Sequence, residues 1–304
     1  MNKTFRISSG IVTVLILVLF FVAGCRGGKK APQEEIPVRT EDNAEILQDI
    51  KQAEKIFQAL PSPIESAMLV KSAGGRFDES LLNPVGNVST YVTNKAMALN
   101  LGAYTCDLSF ASLYEQTQLI INYMEAAKKM ADGLGILKAI EQSTIDDLEA
   151  NINNSEYIME IVSETFLNSN SYLEDNGQPA VAAMVLTGGW IEGLYISTQL
   201  VDMNNFNGNK LVGRIIDQKL SIDILINLLS KSKGNPAVDE LLEQTARLKI
   251  VFDKITLTTS PVRREVDPET NMTVLKSEVK TDMTPEVFKE LAATVTEIRN
   301  SFVK

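Results

Sequence analysis

Apolar residues recur every three or four positions along most of this chain, which is the spacing of the buried face of an α-helix. The pattern predicts an all-α fold, a multi-helix bundle of about eight or nine helices. The segment 211–230 is apolar on nearly every side, so we expect it to lie centrally. The expected helices span residues 46–60, 63–72, 88–134 with a kink or break at Gly102, 144–151, 155–168, 180–203, 211–230, 236–255 and 285–302.

Two helix starts are marked by a polar capping residue followed by proline, at Asn235-Pro236 and Thr284-Pro285. Asn and Thr side chains accept hydrogen bonds from the first helical turn, and proline fits the first helical position. Between these two helices, residues 256–282 are rich in Thr and Val with alternating charges. This composition predicts a small β-hairpin or an extended loop before the C-terminal helix.

The N-terminal segment has the layout of a secretory signal peptide: a basic head, an apolar run over residues 11–23 and small residues at its end. The run is shorter than the roughly 20 residues that a membrane-spanning helix needs. It closes with Val22-Ala23-Gly24-Cys25, which resembles the lipobox of bacterial lipoproteins. That resemblance implies cleavage before Cys25 and attachment of acyl chains to its sulfur. The alternative is an ordinary signal peptide with an incidental cysteine.

The chain is therefore expected to have three parts: a lipoprotein signal peptide (1–24), a lipidated Cys25 with a flexible polar tether (25–40) and a single helical domain (41–304). Two or more acyl chains anchor a protein stably, so the membrane is the expected partner. In some bacteria, lipoproteins retained in the inner membrane carry Asp directly after the cysteine, and some surface-exported ones carry an acidic cluster there. Arg26 and Lys29-Lys30 match neither, which favours the periplasmic face of the outer membrane over the cell surface.

The charge and composition exclude several classes of function. The chain has 304 residues, with 29 Lys and Arg against 39 Asp and Glu, so nucleic acid is a poor partner. It has no His, which removes the commonest general base and a frequent zinc ligand. Nucleotide-binding glycine loops are missing as well. We expect no cofactor and no metal site, and the apolar surroundings of Cys106 predict a buried, inert thiol.

Two apolar segments carry the candidate binding residues. On a continuous helix, Tyr104, Asp107, Tyr114, Glu115 and Gln118 would share one stripe, and the second segment offers further polar and aromatic groups beside glycines. These are Trp190, Glu192 and Tyr195. Aromatic rings next to carboxylates and amides are typical of a pocket for a small polar ligand. Two other interpretations stay open: the groups satisfy one another between packed helices, or Asp107 and Glu192 form a catalytic carboxylate pair.

The same segments carry a wider resemblance. Leu60-Pro61-Ser62-Pro63-Ile64-Glu65, together with Ala98-Leu99-Asn100-Leu101-Gly102-Ala103-Tyr104 and Asp107-Leu108, resembles a group of uncharacterised bacterial lipoproteins of the Bacteroidota type. The resemblance implies an envelope location and a helical fold, and it implies no activity. A fainter internal similarity aligns Gly102 with Gly188, 86 positions later, which either two related helical units or chance explains.

These observations predict a membrane-anchored cell-envelope lipoprotein that acts as a non-catalytic binding or scaffold module. Its partner would be an envelope protein or a small polar ligand. The first alternative is a small-molecule binding protein that uses the aromatic and polar helical pocket. The second is a His-independent hydrolase that works through carboxylates.

Overall fold

A computed structural model of the protein describes residues 60–140, 142–259, 263–266, 273–276 and 279–303. The predicted signal peptide, Cys25 and the tether lie outside these residues. The predicted helix over 46–60 also lies outside them, except for Leu60 at its end.

The described residues form an all-α bundle, as the sequence predicts, with nine α-helices in this part of the chain. In chain order they are α1 (Pro63–Ser72), α2 (Asn94–Leu113), α3 (Thr117–Gly133), α4 (Gln142–Ala150), α5 (Ser155–Asp175), α6 (Pro179–Gln199), α7 (Lys210–Ser230), α8 (Pro236–Asp253) and α9 (Pro285–Phe302). Short 3-10 turns connect several of them, at Glu79–Leu81, Val85–Thr90, Leu137–Ala139 and Met203–Gly208.

Most of the helices begin at a side chain that caps them, but α3 and α6 have no such cap. The Asn235 side chain accepts a hydrogen bond from the backbone N–H of Ala237, and that of Thr284 accepts one from Val287. At the start of α1, Ser62 and Glu65 form a reciprocal capping box. Both helix starts predicted from a capping residue and proline are therefore confirmed.

The predicted break at Gly102 is wrong, because α2 runs through this residue without interruption. The helix ends instead at Leu113, and Glu115 adopts a left-handed conformation with φ of 57° before α3 begins. Glu115 and Gln118 therefore do not continue the stripe of Tyr104 and Asp107.

Gly102 serves close packing between α2 and α6. A Cβ atom at Gly102 would lie 2.0 Å from the carbonyl oxygen of Val185, and one at Gly188 would lie 2.0 Å from that of Leu99. The two helix backbones can approach this closely only because both positions are glycine. This shared steric requirement accounts for the aligned glycines without a structural repeat.

Helix α6 forms the centre of the bundle. The predicted central position of 211–230 is wrong, because α7 turns one face to solvent, with Leu220 70% exposed and Arg214 and Asp217 on its surface. Helix α6 is the one helix among the described residues that is long and apolar enough to span a membrane, but 83% of its apolar window is buried inside the protein. A helix that is apolar on all sides is expected in a protein core. Its composition therefore reflects core packing.

Helix α5 is longer than predicted, since it continues to Asp175 and not to residue 168. The extra turns bury Ser169, Asn170 and Leu173. The prediction ended this helix too early, because Leu173 lies two helical turns after Phe166 and continues the same apolar face.

Four short strands precede α9: β1 (Thr256–Thr259), β2 (Arg263–Val266), β3 (Thr273–Lys276) and β4 (Val279–Asp282). β1 pairs with β4 and β2 with β3, each antiparallel. The residues that would join these strands lie outside the described part of the chain, so the β-hairpin stays a prediction.

Candidate functional site

A buried ion pair joins α6 to α9. Arg299 donates from Nε to Glu192 Oε2 at 3.0 Å and from Nη2 to Glu192 Oε1 at 2.9 Å. Nη2 also donates to the carbonyl oxygen of Leu81 at 3.1 Å, and the guanidinium lies 4.5 Å from the centre of the Tyr195 ring. Glu192 has no exposed surface. The two-point contact fixes the position of α9 against the core.

Asp107 lies in the same buried region, on α2. Its Oδ2 accepts the backbone N–H of Asn83 at 3.0 Å, and its Oδ1 has no hydrogen-bond partner among the described residues. The Asn83 side chain donates to Asn100 Oδ1 at 2.8 Å, and the Tyr91 hydroxyl donates to Asn83 Oδ1 at 3.1 Å. Asn100 in turn donates to the carbonyl oxygen of Phe302 at 2.7 Å. The network ties the loop before α2 to the end of α9.

Burial governs the protonation of both carboxyl groups. Loss of solvation raises the pKa of Asp107 well above its ordinary value, and the nearby Glu192 raises it further, against the opposing effects of Arg299 and the Asn83 amide. Burial also raises the pKa of Glu192, while Arg299 acts in the opposite direction. The elevated pKa favours the neutral form of Asp107.

This arrangement does not suit the predicted carboxylate hydrolase. Asp107 and Glu192 are both fully buried, so neither a substrate nor its attacking water reaches them in this conformation. Glu192 is also held by Arg299 at both oxygens. Buried titratable groups of this kind occur in structural networks as well as in catalytic sites.

The predicted aromatic residues have protein partners. The buried Tyr104 hydroxyl donates to the carbonyl oxygen of Pro84 at 3.2 Å, and the buried Trp190 Nε1 donates to Gln218 Oε1 at 3.0 Å. Tyr195 is half-buried against Arg299. These side chains hold helices and loops together, and Trp190 also borders a small cleft with Gly193 and Arg214.

The remaining predicted residues lie apart from this network. The half-buried Tyr114 donates to the carbonyl oxygen of Gly75, beside the ring of Phe110, whereas Glu115 and Gln118 are exposed. The prediction that all five residues from Tyr104 to Gln118 form one stripe is wrong, because the chain reverses at Glu115. Sequence reasoning also overlooked Arg299 and Asn83, which complete the network.

Cys106 is buried next to Asp107, as its apolar surroundings predict. Burial raises the pKa of its thiol well above the ordinary value, which keeps the sulfur protonated and unreactive. Among the described residues there is no group of three metal-ligating His, Cys, Asp or Glu side chains.

An open apolar groove lies on the other side of α2, between α3, α4 and α5. Its cavity volume is about 90 Å³, and its mouth is open to solvent. Most of its lining is aliphatic or aromatic, with one charged residue, Lys128. The lining includes Leu101, Leu108, Met124, Ala127, Ala131, Ile136, Ile140, Ile145, Leu148, Val162, Phe166 and Leu173. The sequence shows these residues only as ordinary helix faces.

One polar side chain in this groove lacks partners. Asn170 is 2% exposed, and neither its Oδ1 nor its Nδ2 has a hydrogen-bond partner among the described residues. Leaving a buried polar group unpaired costs about 1–3 kcal/mol. An amide whose oxygen and nitrogen both lack partners, in a mostly apolar cleft, is the feature of the described residues that points most directly to a ligand.

No known protein family, curated protein or solved structure matches this chain.

Proposed function

We propose that this protein is a cell-envelope lipoprotein, anchored to the membrane through Cys25, whose helical domain is a non-catalytic binding module. The observation that carries the binding role is the open apolar groove with the unpaired Asn170 amide in its lining. The lipobox-like Val22-Ala23-Gly24-Cys25 supports the anchor.

The non-catalytic role is supported by the state of the titratable groups. Two of the three described carboxyl groups with raised pKa values, Asp107 and Glu192, are fully buried and contact Asn83 and Arg299 within the protein. The third, Glu174, is half-buried at the end of α5. A general acid or base must come within hydrogen-bond reach of its substrate. Neither Asp107 nor Glu192 meets that requirement, whereas the groove opens to solvent and needs no reactive group to bind a ligand.

The anchor is tested by growing cells with a clickable fatty-acid analogue and measuring its incorporation into the protein. We expect the wild-type protein and a Cys106→Ala variant to carry the label and a Cys25→Ala variant to lose it. The Cys106→Ala variant is the matched control, because it removes the other cysteine of the chain. Label that persists in Cys25→Ala would contradict the proposed attachment site.

The binding role is tested separately, by native mass spectrometry of the full-length protein released from lipid nanodiscs. We expect a bound mass in the wild-type protein. Thr165→Phe should remove it, since Thr165 lines the groove, whereas Glu164→Phe should retain it, since Glu164 is exposed on the same helix outside the groove. A wild-type protein that carries no additional mass, or two variants with equal occupancy, would argue against a binding role for the groove.

A further inference from the structure

The groove has the dimensions of an extended hydrocarbon chain. Its α5 wall runs from Val162 to Leu173, a length of about 16 Å at a rise of about 1.5 Å per residue. At one end it adjoins a smaller apolar cleft, which shares Leu108, Met124 and Leu148 with it. A long apolar lining suits one flexible alkyl chain.

The polar groups of the lining indicate how such a chain would end. The Asn170 amide offers one donor group and one acceptor, both unpaired. Thr105, by contrast, already donates to the carbonyl oxygen of Leu101. The exposed Lys128 on the lining favours a negative charge over a positive one in the ligand. A carboxyl group fits both requirements, because it accepts from an amide N–H and is attracted to an ammonium group.

A peptide segment fits the groove less well. Extended or helical peptides bring backbone or side-chain polar groups that need partners at the binding surface. The groove lining is almost entirely apolar and offers few free hydrogen-bonding groups besides Asn170.

We propose that the groove binds a free fatty acid, with its alkyl chain along α3 and α5 and its carboxyl group bonded to the Asn170 side chain. This inference names the ligand class of the binding module and rests on the proposed function. The lipid proposed on Cys25 also carries acyl chains, so one of these could occupy the groove instead. The test therefore includes a variant that removes Cys25.

The test uses a twelve-carbon fatty acid carrying a diazirine, added to the full-length protein in phosphatidylcholine vesicles and activated by light. We expect cross-links on peptides from α3 and α5 that unlabelled laurate competes away. Thr165→Phe should reduce them at least about tenfold, and Glu164→Phe should leave them unchanged. Cross-links outside the groove, or equal labelling of these two variants, would overturn the proposal.

The head-group contacts have their own matched variants. Lys128→Ala should weaken the competition by laurate several-fold, while Lys129→Ala, which changes the neighbouring exposed lysine outside the lining, should not. In the absence of laurate, Asn170→Leu should unfold at a higher temperature than the wild-type protein. Added laurate should raise the unfolding temperature of Asn170→Leu by less than it raises that of the wild-type protein. Fluorescence of Trp190, the only tryptophan, reports the unfolding. If Asn170→Leu unfolds at a lower temperature than the wild-type protein, and laurate raises both unfolding temperatures equally, the proposed head-group contact is wrong.

Cross-linking of Cys25→Ala shows whether the alkyl chain in the groove belongs to a free fatty acid or to the lipid on Cys25. Equal labelling of this variant and the wild-type protein supports a free fatty acid, whereas labelling that appears only in Cys25→Ala means that the attached lipid fills the groove and overturns the proposal. A bound mass in native spectra that is not a fatty acid would overturn this inference and leave the proposed binding function intact.

Discussion

Arg299 and Glu192 form a two-point ion pair across 107 residues of sequence, at distances of 2.9 and 3.0 Å. The Glu192 side chain is fully buried and that of Arg299 is 8% exposed. A guanidinium matches a carboxylate in shape, so the pair specifies both the angle and the depth at which α9 packs on α6.

Loss of one partner of this pair should destabilise the protein strongly. Glu192→Gln keeps the volume of the side chain but leaves the Arg299 charge buried without a counter-charge. We expect the free energy of unfolding to fall by about 3–5 kcal/mol. Urea denaturation followed by circular dichroism measures it. The control is Glu297→Gln, which removes an exposed partner of Arg247 and should cost no more than about 1 kcal/mol. Similar losses of unfolding free energy in the two variants would mean that burial does not increase the contribution of the ion pair to stability.

Asp107 should make the stability of the protein depend on pH. Because burial raises its pKa in the folded state, the unfolded chain releases this proton at a lower pH than the folded protein does. The favourable contribution of the protonated form is complete below the ordinary pKa of 3.8. It is then lost as the pH rises towards the folded-state pKa, by about 1.4 kcal/mol per pH unit. Asp107→Asn, which cannot ionise, should lack this loss.

The measurement is urea denaturation of the wild-type protein and Asp107→Asn between pH 4 and pH 7. The difference in unfolding free energy between them reports the titration of Asp107 together with its coupling to Glu192, whose charge raises the pKa of Asp107. We expect Asp107→Asn to gain stability relative to the wild-type protein as the pH rises. Asp132→Asn, at an exposed position, should track the wild-type protein. If the difference in unfolding free energy between the wild-type protein and Asp107→Asn stays constant with pH, Asp107 has the same pKa in the folded and unfolded states.

The local pattern of the sequence was enough to predict most helices. The caps at Asn235 and Thr284 and the periodic apolar residues act within a few positions of one another, so they are visible without the fold. The break at Glu115 was missed because its φ of 57° has no glycine to mark it. Gly102 was wrongly predicted to interrupt the helix. Its role is close contact with α6, and a contact between distant segments is not visible in the local sequence.

The site was harder to predict for the same reason. The candidate residues Asp107 and Glu192 do lie in one buried region, but their partners are distant in sequence. Asn83 lies between two predicted helices, and Arg299 lies in the predicted C-terminal helix. The groove was not predicted, because each of its walls looks like an ordinary amphipathic face. Only packing shows that α5 and α3 leave space between them, and that Asn170 faces it without a partner.

The left-handed conformation at Glu115 predicts a stabilising substitution. A non-glycine residue in this conformation costs about 1 kcal/mol, and Glu115 makes the turn between α2 and α3. Glu115→Gly should therefore raise the free energy of unfolding by up to about 1 kcal/mol, measured by urea denaturation. Glu149→Gly, within α4, should lower it by a similar amount, because glycine is unfavourable inside a helix. A loss of stability in Glu115→Gly would mean that its side chain contributes more than the backbone conformation costs.

The close crossing of α2 and α6 can be tested with two glycines of opposite surroundings. A methyl group at Gly102 would lie 2.0 Å from the carbonyl oxygen of Val185 and 2.5 Å from the backbone nitrogen of Gly189, so the backbones must separate. Gly102→Ala should therefore lower the free energy of unfolding by about 3 kcal/mol or more. At Gly213, inside α7, a methyl group meets nothing within 4 Å. Gly213→Ala should stabilise the protein by about 1 kcal/mol through helix propensity alone. Because both substitutions add the same methyl group inside a helix, the difference between them measures the constraint at the crossing. Equal effects would mean that α2 and α6 do not pack as closely as this arrangement requires.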